Sequence, residues 1–377
     1  MTKIKFRPGS ASSPFFQSLD QEINRMISTT GILPKAIRRL WIKMMFYVLL
    51  HISAYMLLFL LREQDLGSLI LNYVFIGVSG LLLGFNVSHD ALHEAFSKNK
   101  KVNHWIYHLS FNIQGNNAYL WKIRHRSSHH VFPNVDGCDA DIDENPFIRL
   151  SPQHPLRKHH RYQHWYSFFV YAFYTLHWFL FKDALYLFKK KVANLQQKEH
   201  SGKEHVLFFS WKIAYLFIIL VVPVLCGYSF GDVFLCFFIM HVVNSIVFIH
   251  FLIATHFCIE TQFPEKDEHG FLPYDYYTHQ LATSMDYSPE SKLINLFLGG
   301  FNAHAAHHLY PKLPHTIYPE IARLIEQKAK EFNMPYNKLS LPQAIRSHYR
   351  YLKVMGTTAQ KNNKIHTCTR CAVCTKK

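Results

Sequence analysis

The sequence has few acidic residues and few cysteines. Its 377 residues include 25 Asp and Glu against 41 Lys and Arg, which gives a formal net charge of +16 at pH 7. Of the seven cysteines, Cys226 and Cys236 lie in apolar stretches of a chain whose polar parts are expected to face a reducing compartment, so we predict no disulfides. Basic loops lying against anionic lipid headgroups explain the charge, and binding to nucleic acid is not needed.

The sequence also lacks the even spread of apolar residues that a globular core requires. Apolar residues instead occur in blocks, each close to the roughly 20 residues that cross a bilayer. We predict an all-α integral membrane protein with four transmembrane helices in two hairpins, interfacial helices and a cytoplasmic cap. The predicted spans are 41–61, 66–87, 206–228 and 233–255, within a domain at 41–355 that follows an interfacial segment at 1–40 and precedes a disordered tail at 356–377.

The distribution of basic residues predicts the orientation of the spans. The turns at 62–65 and 228–232 contain one basic residue between them, whereas the other polar segments are rich in Lys and Arg. By the positive-inside rule these turns face outward, and the remaining polar segments face the cytoplasm. The apolar segment 164–181 contains three tyrosines, two tryptophans and two histidines, and we expect it to lie flat at the interface, as does the stretch from Phe15 to Trp41.

Three histidine clusters are the strongest functional signal. We call them box one (89–93), box two (125–130) and box three (304–308), and they contain His89, His93, His125, His129, His130, His304, His307 and His308. Histidines three and four residues apart share one face of a helix, and His130 points away from His129 toward a possible second metal. Because the predicted topology puts all three boxes on one side of the membrane, and eight imidazoles exceed the needs of one ion, we predict a two-metal site.

Ligand type alone leaves the metal open, because neutral imidazole suits zinc, copper, iron and nickel. Two metals beside a lipid-embedded substrate favour oxygen activation, although zinc hydrolysis is a chemical alternative. The histidine that would complete a His-Glu-x-x-His protease helix after His93-Glu94 is absent. An ion transporter is also disfavoured, since transporter sites lie near the membrane midplane and these boxes lie at the ends of the spans.

The boxes and their flanks resemble those of the membrane fatty acid desaturase superfamily, most closely its bacterial acyl-lipid and linoleoyl-CoA desaturase-like branch. The matching stretches are HDALHEAFS, HRSSHHVFPNVDGCDADI and GGFNAHAAHHLYPKLPHTIYPEIARLI. The resemblance implies that the eight box histidines bind two irons. It also implies a ninth ligand on the stretch that leaves the fourth span, for which His256 is the best match and His250 the rival. Many relatives have Gln where this sequence has His304, which leaves the position of the double bond open.

The resemblance further implies an O2-dependent enzyme that inserts a double bond into an acyl chain carried on a lipid, on CoA or on acyl carrier protein. The same boxes serve lipid and alkane hydroxylases, which are the main alternative, and a non-catalytic membrane metal-binding protein is a second. No His-Pro-Gly-Gly haem signature is present, so electrons are expected from a separate ferredoxin or cytochrome b5. The expected location is a bacterial inner membrane or the endoplasmic reticulum.

Several other residues receive weaker predictions. Carboxylates that could orient the ligands are Asp90, Asp136, Asp139, Asp141, Asp143, Glu144 and Glu260. We expect a structural role for His279, an interfacial role for His104 and His108, and helix packing at Gly77, Gly80 and Gly84. The tail cysteines Cys368, Cys371 and Cys374 lie beside His366 and are either zinc ligands or, as we prefer, free thiols.

Overall fold

The computed structural model describes residues 4–7, 13–61, 65–189, 191–193, 195–196 and 199–358, so the tail cysteines lie outside the described residues. The described chain is mainly helical. Its helices are α1 (Pro14–Thr30), α2 (Ile32–Leu60), α3 (Leu66–Leu83), α4 (His89–Leu92), α5 (Lys100–Asn112), α6 (Ala118–Arg124), α7 (Gln163–Tyr171), α8 (Tyr174–His177), α9 (Asp183–Phe188), α10 (Gly202–Leu216), α11 (Val222–Leu225), α12 (Phe230–Ile253), α13 (Tyr276–Thr283), α14 (Lys292–Leu298), α15 (His304–Leu309), α16 (Tyr318–Glu331) and α17 (Leu341–Thr357).

Short π-helical and 3₁₀ turns and four two-residue strands complete the secondary structure. The π-helical turns are Gly84–Ser88, His125–His129, Trp178–Lys182 and Phe217–Val221, and the 3₁₀ turns are Ala140–Ile142, Lys158–Tyr162 and His315–Ile317. Strands β1 (Lys191–Val192) and β2 (Leu195–Gln196) pair antiparallel, whereas β3 (Asp286–Tyr287) and β4 (Lys338–Leu339) pair parallel.

Four helices among the described residues are long and apolar enough to cross a membrane: Ile32–Leu60, Leu66–Leu92, Gly202–Leu225 and Phe230–Ile253. The prediction of an all-α membrane protein is therefore confirmed. Large apolar side chains on these helices face outward, including Leu71 at 70% exposure and Ile213 at 65%, as expected for surfaces that contact lipid. The third span includes the π-helical turn at Phe217–Val221, which joins α10 to α11.

The first span begins upstream of the predicted window. A left-handed turn at Gly31 (φ 58°) ends α1, and one continuous helix then runs from Ile32 to Leu60, across the predicted boundary at residue 40. Glycine adopts this backbone conformation without a Cβ clash. Helix α1 buries Phe15, Leu19 and Ile23, spaced four residues apart, and packs on α16. The stretch from Phe15 to Trp41 is thus two helices that meet at Gly31, and its interfacial position stays a prediction.

The second span lies between two other spans and positions box one. Helix α3 packs against both α2 and α12, and it lies close to α12 at Gly77, where an added Cβ would lie 2.5 Å from Met240 Cγ. The helix continues through the turn at Gly84–Ser88 into α4, so box one forms the end of this span. The packing predicted for Gly77 is therefore observed.

The segment 164–181 is divided into shorter pieces and is not among the four spanning helices. It contains α7, α8 and most of the turn at Trp178–Lys182, with a break at residues 172–173. Its backbone is fixed to the fourth span because Thr175 N donates a hydrogen bond to Ser245 Oγ at 2.9 Å. The prediction that this segment does not cross the membrane agrees with this division.

Helix α16 packs on α15 of box three, whereas α17 packs on α7, α12 and the 3₁₀ turn at Lys158–Tyr162. Arg149, which is 1% exposed, donates hydrogen bonds to the carbonyl oxygens of Met355 and Thr358 and so fixes the end of α17. A cation in this position also interacts favourably with the negative end of the helix dipole. The described cysteines Cys138, Cys226, Cys236 and Cys258 are all free thiols.

Candidate metal centre

Box one forms at the point where the second span ends. His89 begins α4, and His93 ends it with backbone angles outside the helical range. Glu94 follows with a left-handed φ of 66°, which turns the chain away from the span. Both imidazoles are nearly fully buried, at 2% and 4% exposure.

Box two lies on a π-helical turn. Helix α6 continues into His125–His129, and the widened turn closes with a hydrogen bond from His130 N to His125 O at 2.9 Å. Such i→i+5 turns are rare and often occur at functional sites. His125 and His129 remain on one face, as the spacing predicted, with stacked rings whose centroids are 5.6 Å apart, yet they contribute to different sets of histidines.

Box three depends on close packing against the second span. Gly299 (φ 55°) lies so near that span that an added Cβ would be 2.1 Å from the Phe85 carbonyl oxygen. This approach allows α15 to begin at His304 directly beside box one. The carboxylate of Asp286 accepts a hydrogen bond from Ala305 N at 2.8 Å and holds the start of α15.

The boxes and His256 converge into two adjoining sets of four buried histidines, within each of which one ring nitrogen per histidine lies within 4.8 Å of the others. We call them site A and site B. His256 Nε2 lies 2.7 Å from His304 Nε2, whereas the rival His250 is bonded to Tyr349. Site A comprises His89, His93, His125 and His307, and site B comprises His129, His256, His304 and His308.

His130 lies between the two sites and belongs to neither set of four. Its ring centroid is 4.5 Å from that of His307 in site A and 4.5 Å from that of His308 in site B. Its Nε2 is also 3.0 Å from His125 Nε2. The structure therefore brings all nine predicted histidines together.

The donor set fits metal ions. Burial, followed by repulsion from neighbouring imidazoles, lowers the pKa of His93, His304 and His307 well below the usual range, so these rings are neutral. His307 has no hydrogen-bond partner at either ring nitrogen, and His93 Nε2 also has none. Buried polar atoms without partners are costly, and a metal ion bound by the converging nitrogens would satisfy them.

Three histidines of site B are oriented through their second ring nitrogen. His256 Nδ1 donates to the Thr283 carbonyl at 2.8 Å, and His308 Nδ1 donates to Gln280 Oε1 at 2.7 Å. His129 Nδ1 lies 3.1 Å from the Asp139 carboxylate. These bonds leave Nε2 free to bind metal, the usual arrangement in metal sites.

The pKa of His129 differs from those of its neighbours. Burial alone would lower that pKa, but the carboxylates of Asp139 and Asp141 outweigh burial and raise it. Asp141 is also bonded to buried Arg124, with Nη2 2.9 Å from Oδ1, and forms a third set of convergent donors with His125 and His129. Sequence reasoning named both carboxylates but did not identify Arg124 or Gln280.

The other carboxylates proposed for orienting ligands have different partners. Asp90 contacts His315, which Lys43 contacts from the other side. The remaining pairs are Asp136 with His154, Asp143 with Tyr186, Glu144 with Arg157, and Glu260 with Ser347. His279 Nε2 donates to the Pro133 carbonyl, and the ring of His104 lies beside those of Trp105 and His108, so the roles expected for His279 and His104 stay predictions.

An apolar cavity of about 370 Å³ extends from the histidines into the spanning helices. At one end it is bordered by His89, His125 and His304, and toward the other by Ile76 and Met240. Gly80 and Gly84, which sequence analysis had assigned only to helix packing, line its wall. Its remaining walls include the aromatic side chains of Phe85, Trp121, Tyr174, Trp178, Phe248 and Phe301.

Comparison with known proteins identifies the family. The family profile described as fatty acid desaturase matches residues 66–340. The chain is 28% identical over 347 residues to an sn-1 linoleoyl-lipid 6-desaturase of Arthrospira platensis, covering 91% of this chain and 92% of that protein. It is 27% identical over 350 residues to an acyl-lipid (8-3)-desaturase of Physcomitrium patens, covering 91% of this chain and 72% of that protein. The chain therefore belongs to the fatty acid desaturase family, and it is a membrane-bound oxidoreductase.

Proposed function

We propose that this protein is a diiron, O2-dependent desaturase that inserts a cis double bond into the acyl chain of a membrane lipid. The observation that carries the proposal is the contact between an apolar cavity and two adjoining sets of four buried histidines. Two relatives are named for acyl-lipid or linoleoyl-lipid substrates, which favours a lipid carrier over CoA or acyl carrier protein.

Sites A and B would each hold one iron, with His130 between them. When bound, the irons would supply O2 activation and the removal of two vicinal hydrogens, with O2 reduced to water. Neutral, oriented imidazoles meet the requirement for ligands that must be deprotonated at the coordinating nitrogen. Thr283, Gln280 and Asp139 hold the proton on Nδ1 of their histidines and so present Nε2 to the metal.

The cavity walls would position the acyl chain and exclude water. Trp121 stacks on His125 with ring centroids 4.5 Å apart, and Phe301 lies 4.5 Å from His89, so apolar rings cover site A on the cavity side. A methylene chain has no polar group for orientation and is held by shape and apolar contact. Removal of hydrogen from a methylene group would therefore depend on these walls for its position.

The electrons would come from a separate ferredoxin or cytochrome b5. The expected site of reduction is the cytoplasmic face, because the positive-inside rule places the segments containing the boxes there. The surrounding membrane would be a bacterial inner membrane or the endoplasmic reticulum. Net positive charge on this face favours association with an acidic donor.

Expression in a host of simple lipid composition tests the proposal. New double bonds should appear in extracted lipids with the native chain, and His304→Ala should abolish them because site B loses a ligand. His269→Ala is the matched control, since His269 is an exposed histidine outside both sites. The purified native chain should contain about two irons, measured by elemental analysis.

Two results would contradict the proposal. A hydroxylated product without a new double bond would identify a hydroxylase instead. Stoichiometric iron without O2 consumption, in the presence of reductant and acyl lipid, would identify a non-catalytic metal-binding protein.

A further inference from the structure

A second cavity, of about 310 Å³, lies beside box one and apart from the nine histidines. We call it the basic pocket. Its floor includes Ala91, Leu92 and Tyr107. Its rim contains four cationic side chains and one carboxylate, namely Lys100, Lys101, Lys122, Arg126 and Glu94.

The positive charge of the basic pocket is only partly neutralised. Arg126 Nη1 lies 3.2 Å from Glu94 Oε1 and donates to the Leu92 carbonyl at 3.1 Å. In the part of the chain that the structure describes, no carboxylate lies within ion-pair distance of Lys100, Lys101 or Lys122. Partial burial, and then repulsion from Arg126, lowers the pKa of Lys122. A bound anion would relieve this repulsion.

The exposed side chains of α5 indicate the depth of the basic pocket in the membrane. Gln114, just after α5, packs beside Gly80 and Gly84 within the second span. Near that end, Leu109 is 51% exposed, as expected in the hydrocarbon region.

The opposite end of α5 carries interfacial residues. Trp105 is 62% exposed, and Lys100 and Lys101 begin the helix. An exposed tryptophan near lysine residues is typical of the membrane interface, so this end of α5 indicates the level of the lipid headgroups. The basic pocket therefore opens at the level of the lipid headgroups. Farther along α5, the exposed side chains face the hydrocarbon region.

We propose that the basic pocket binds the phosphate of an anionic phospholipid headgroup in the leaflet on the side of the metal centre. Lysine and arginine side chains at this depth attract anionic lipid, and a cavity of a few hundred Å³ accommodates a group of this size. The membrane-facing position favours a lipid over a soluble acidic protein. The inference depends on the membrane placement of the chain and not on the reaction, so it can fail independently of the proposed desaturation.

Calorimetric titration of the iron-loaded, full-length protein in detergent tests the site. The probes are dihexanoyl phosphatidylglycerol, dihexanoyl phosphatidylcholine and inorganic phosphate. The native protein should bind the phosphatidylglycerol most tightly, and Lys101→Gln/Lys122→Gln should weaken that binding about 30-fold. Lys101→Arg/Lys122→Arg should restore it, because the charges are retained.

The matched control is Arg350→Gln/Lys353→Gln, which removes two exposed charges from α17. This control should leave phosphatidylglycerol binding unchanged. Equal weakening in both double variants would overturn the proposal by indicating general surface charge. Inorganic phosphate binding as tightly as the lipid would also overturn it.

A docking site for the electron donor would give a different result. In that case Lys101→Gln/Lys122→Gln would bind phosphatidylglycerol normally. Reduction by a ferredoxin would slow, whereas reduction by dithionite would not. This outcome would overturn the assignment to lipid.

Discussion

At the scale of single residues, the orientation of each imidazole in site B depends on the group that accepts its second ring proton. Three different acceptors serve this purpose: the Thr283 carbonyl, the Gln280 amide and the Asp139 carboxylate. Because the carboxylate is charged and the two amide oxygens are neutral, His129 differs in basicity from His256 and His308. The acceptors are therefore the residues through which metal affinity can be changed without removing a ligand.

Gln280→Leu should weaken iron binding about 10- to 100-fold, because His308 Nδ1 loses its acceptor and the ring is no longer held. Gln280→Glu retains an acceptor oxygen and should retain most of the affinity. Iron retention against a competing chelator measures the effect. Gln163→Leu is the control, since Gln163 is also buried but bonds to Arg149 and Leu352. Unchanged retention in Gln280→Leu would show that this hydrogen bond does not support site B.

As the pH falls, His129 should be the first histidine of the two sites to be protonated, and iron should be lost as a result. Metal binding requires a neutral imidazole, and the raised pKa of His129 lets protons compete at a higher pH than at neighbouring histidines, whose pKa values are lowered. Asp139→Asn removes the negative charge, so the pKa of His129 falls and the midpoint of iron loss should move to lower pH. Iron retained after dialysis at stepped pH measures the midpoint. Asp136→Asn, in the same loop but paired with His154, should leave it unchanged.

At the scale of secondary structure elements, the sequence predicted the histidine boxes and the spanning helices better than the contacts between these elements. The boxes are short contiguous motifs at the ends of apolar windows, so eight candidate ligands and four spans could be identified from spacing and hydropathy. The division of the stacked His125 and His129 between two sites depends on which distant histidines lie beside each ring, and spacing along the chain does not predict this. Gln280 lies 28 residues before His308, and no local pattern connects them.

Gly77 and Gly80 of the second span both line the cavity, but they leave different amounts of room for a side chain. An added Cβ at Gly77 would lie 2.5 Å from Met240 Cγ of α12, whereas at Gly80 the nearest atom would be His51 Cε1 at 3.3 Å. Gly80→Val should narrow the cavity and shift the products toward shorter acyl chains, with little loss of stability. Gly77→Ala should instead lower the free energy of unfolding by about 1–3 kcal/mol through overpacking.

Lipid analysis by mass spectrometry and thermal unfolding in detergent separate these two effects. A loss of stability in Gly80→Val as large as that in Gly77→Ala, with an unchanged product profile, would show that Gly80 serves packing alone.

At the scale of the whole molecule, the last described helix, α17, is anchored to the rest of the protein. Arg149 bonds to the carbonyls of Met355 and Thr358, so the end of α17 is held by the body of the protein. Deletion of residues 360–377 should therefore leave desaturation and iron content unchanged, as measured by lipid analysis and elemental analysis. Loss of activity in a deletion variant with normal thermal stability would instead assign a metal-binding role to Cys368, Cys371 and Cys374.

The order of the histidines along the chain also has a consequence for biosynthesis. Site A takes three histidines from 89–125 and one from box three, and site B takes one from box two, one at 256 and two from box three. Neither set is complete until residues 304–308 have left the ribosome, after all four spans have been translated. If the two sites hold iron, as proposed, iron loading would be a late step of maturation, and a nascent chain arrested before box three would contain only incomplete sets of histidines.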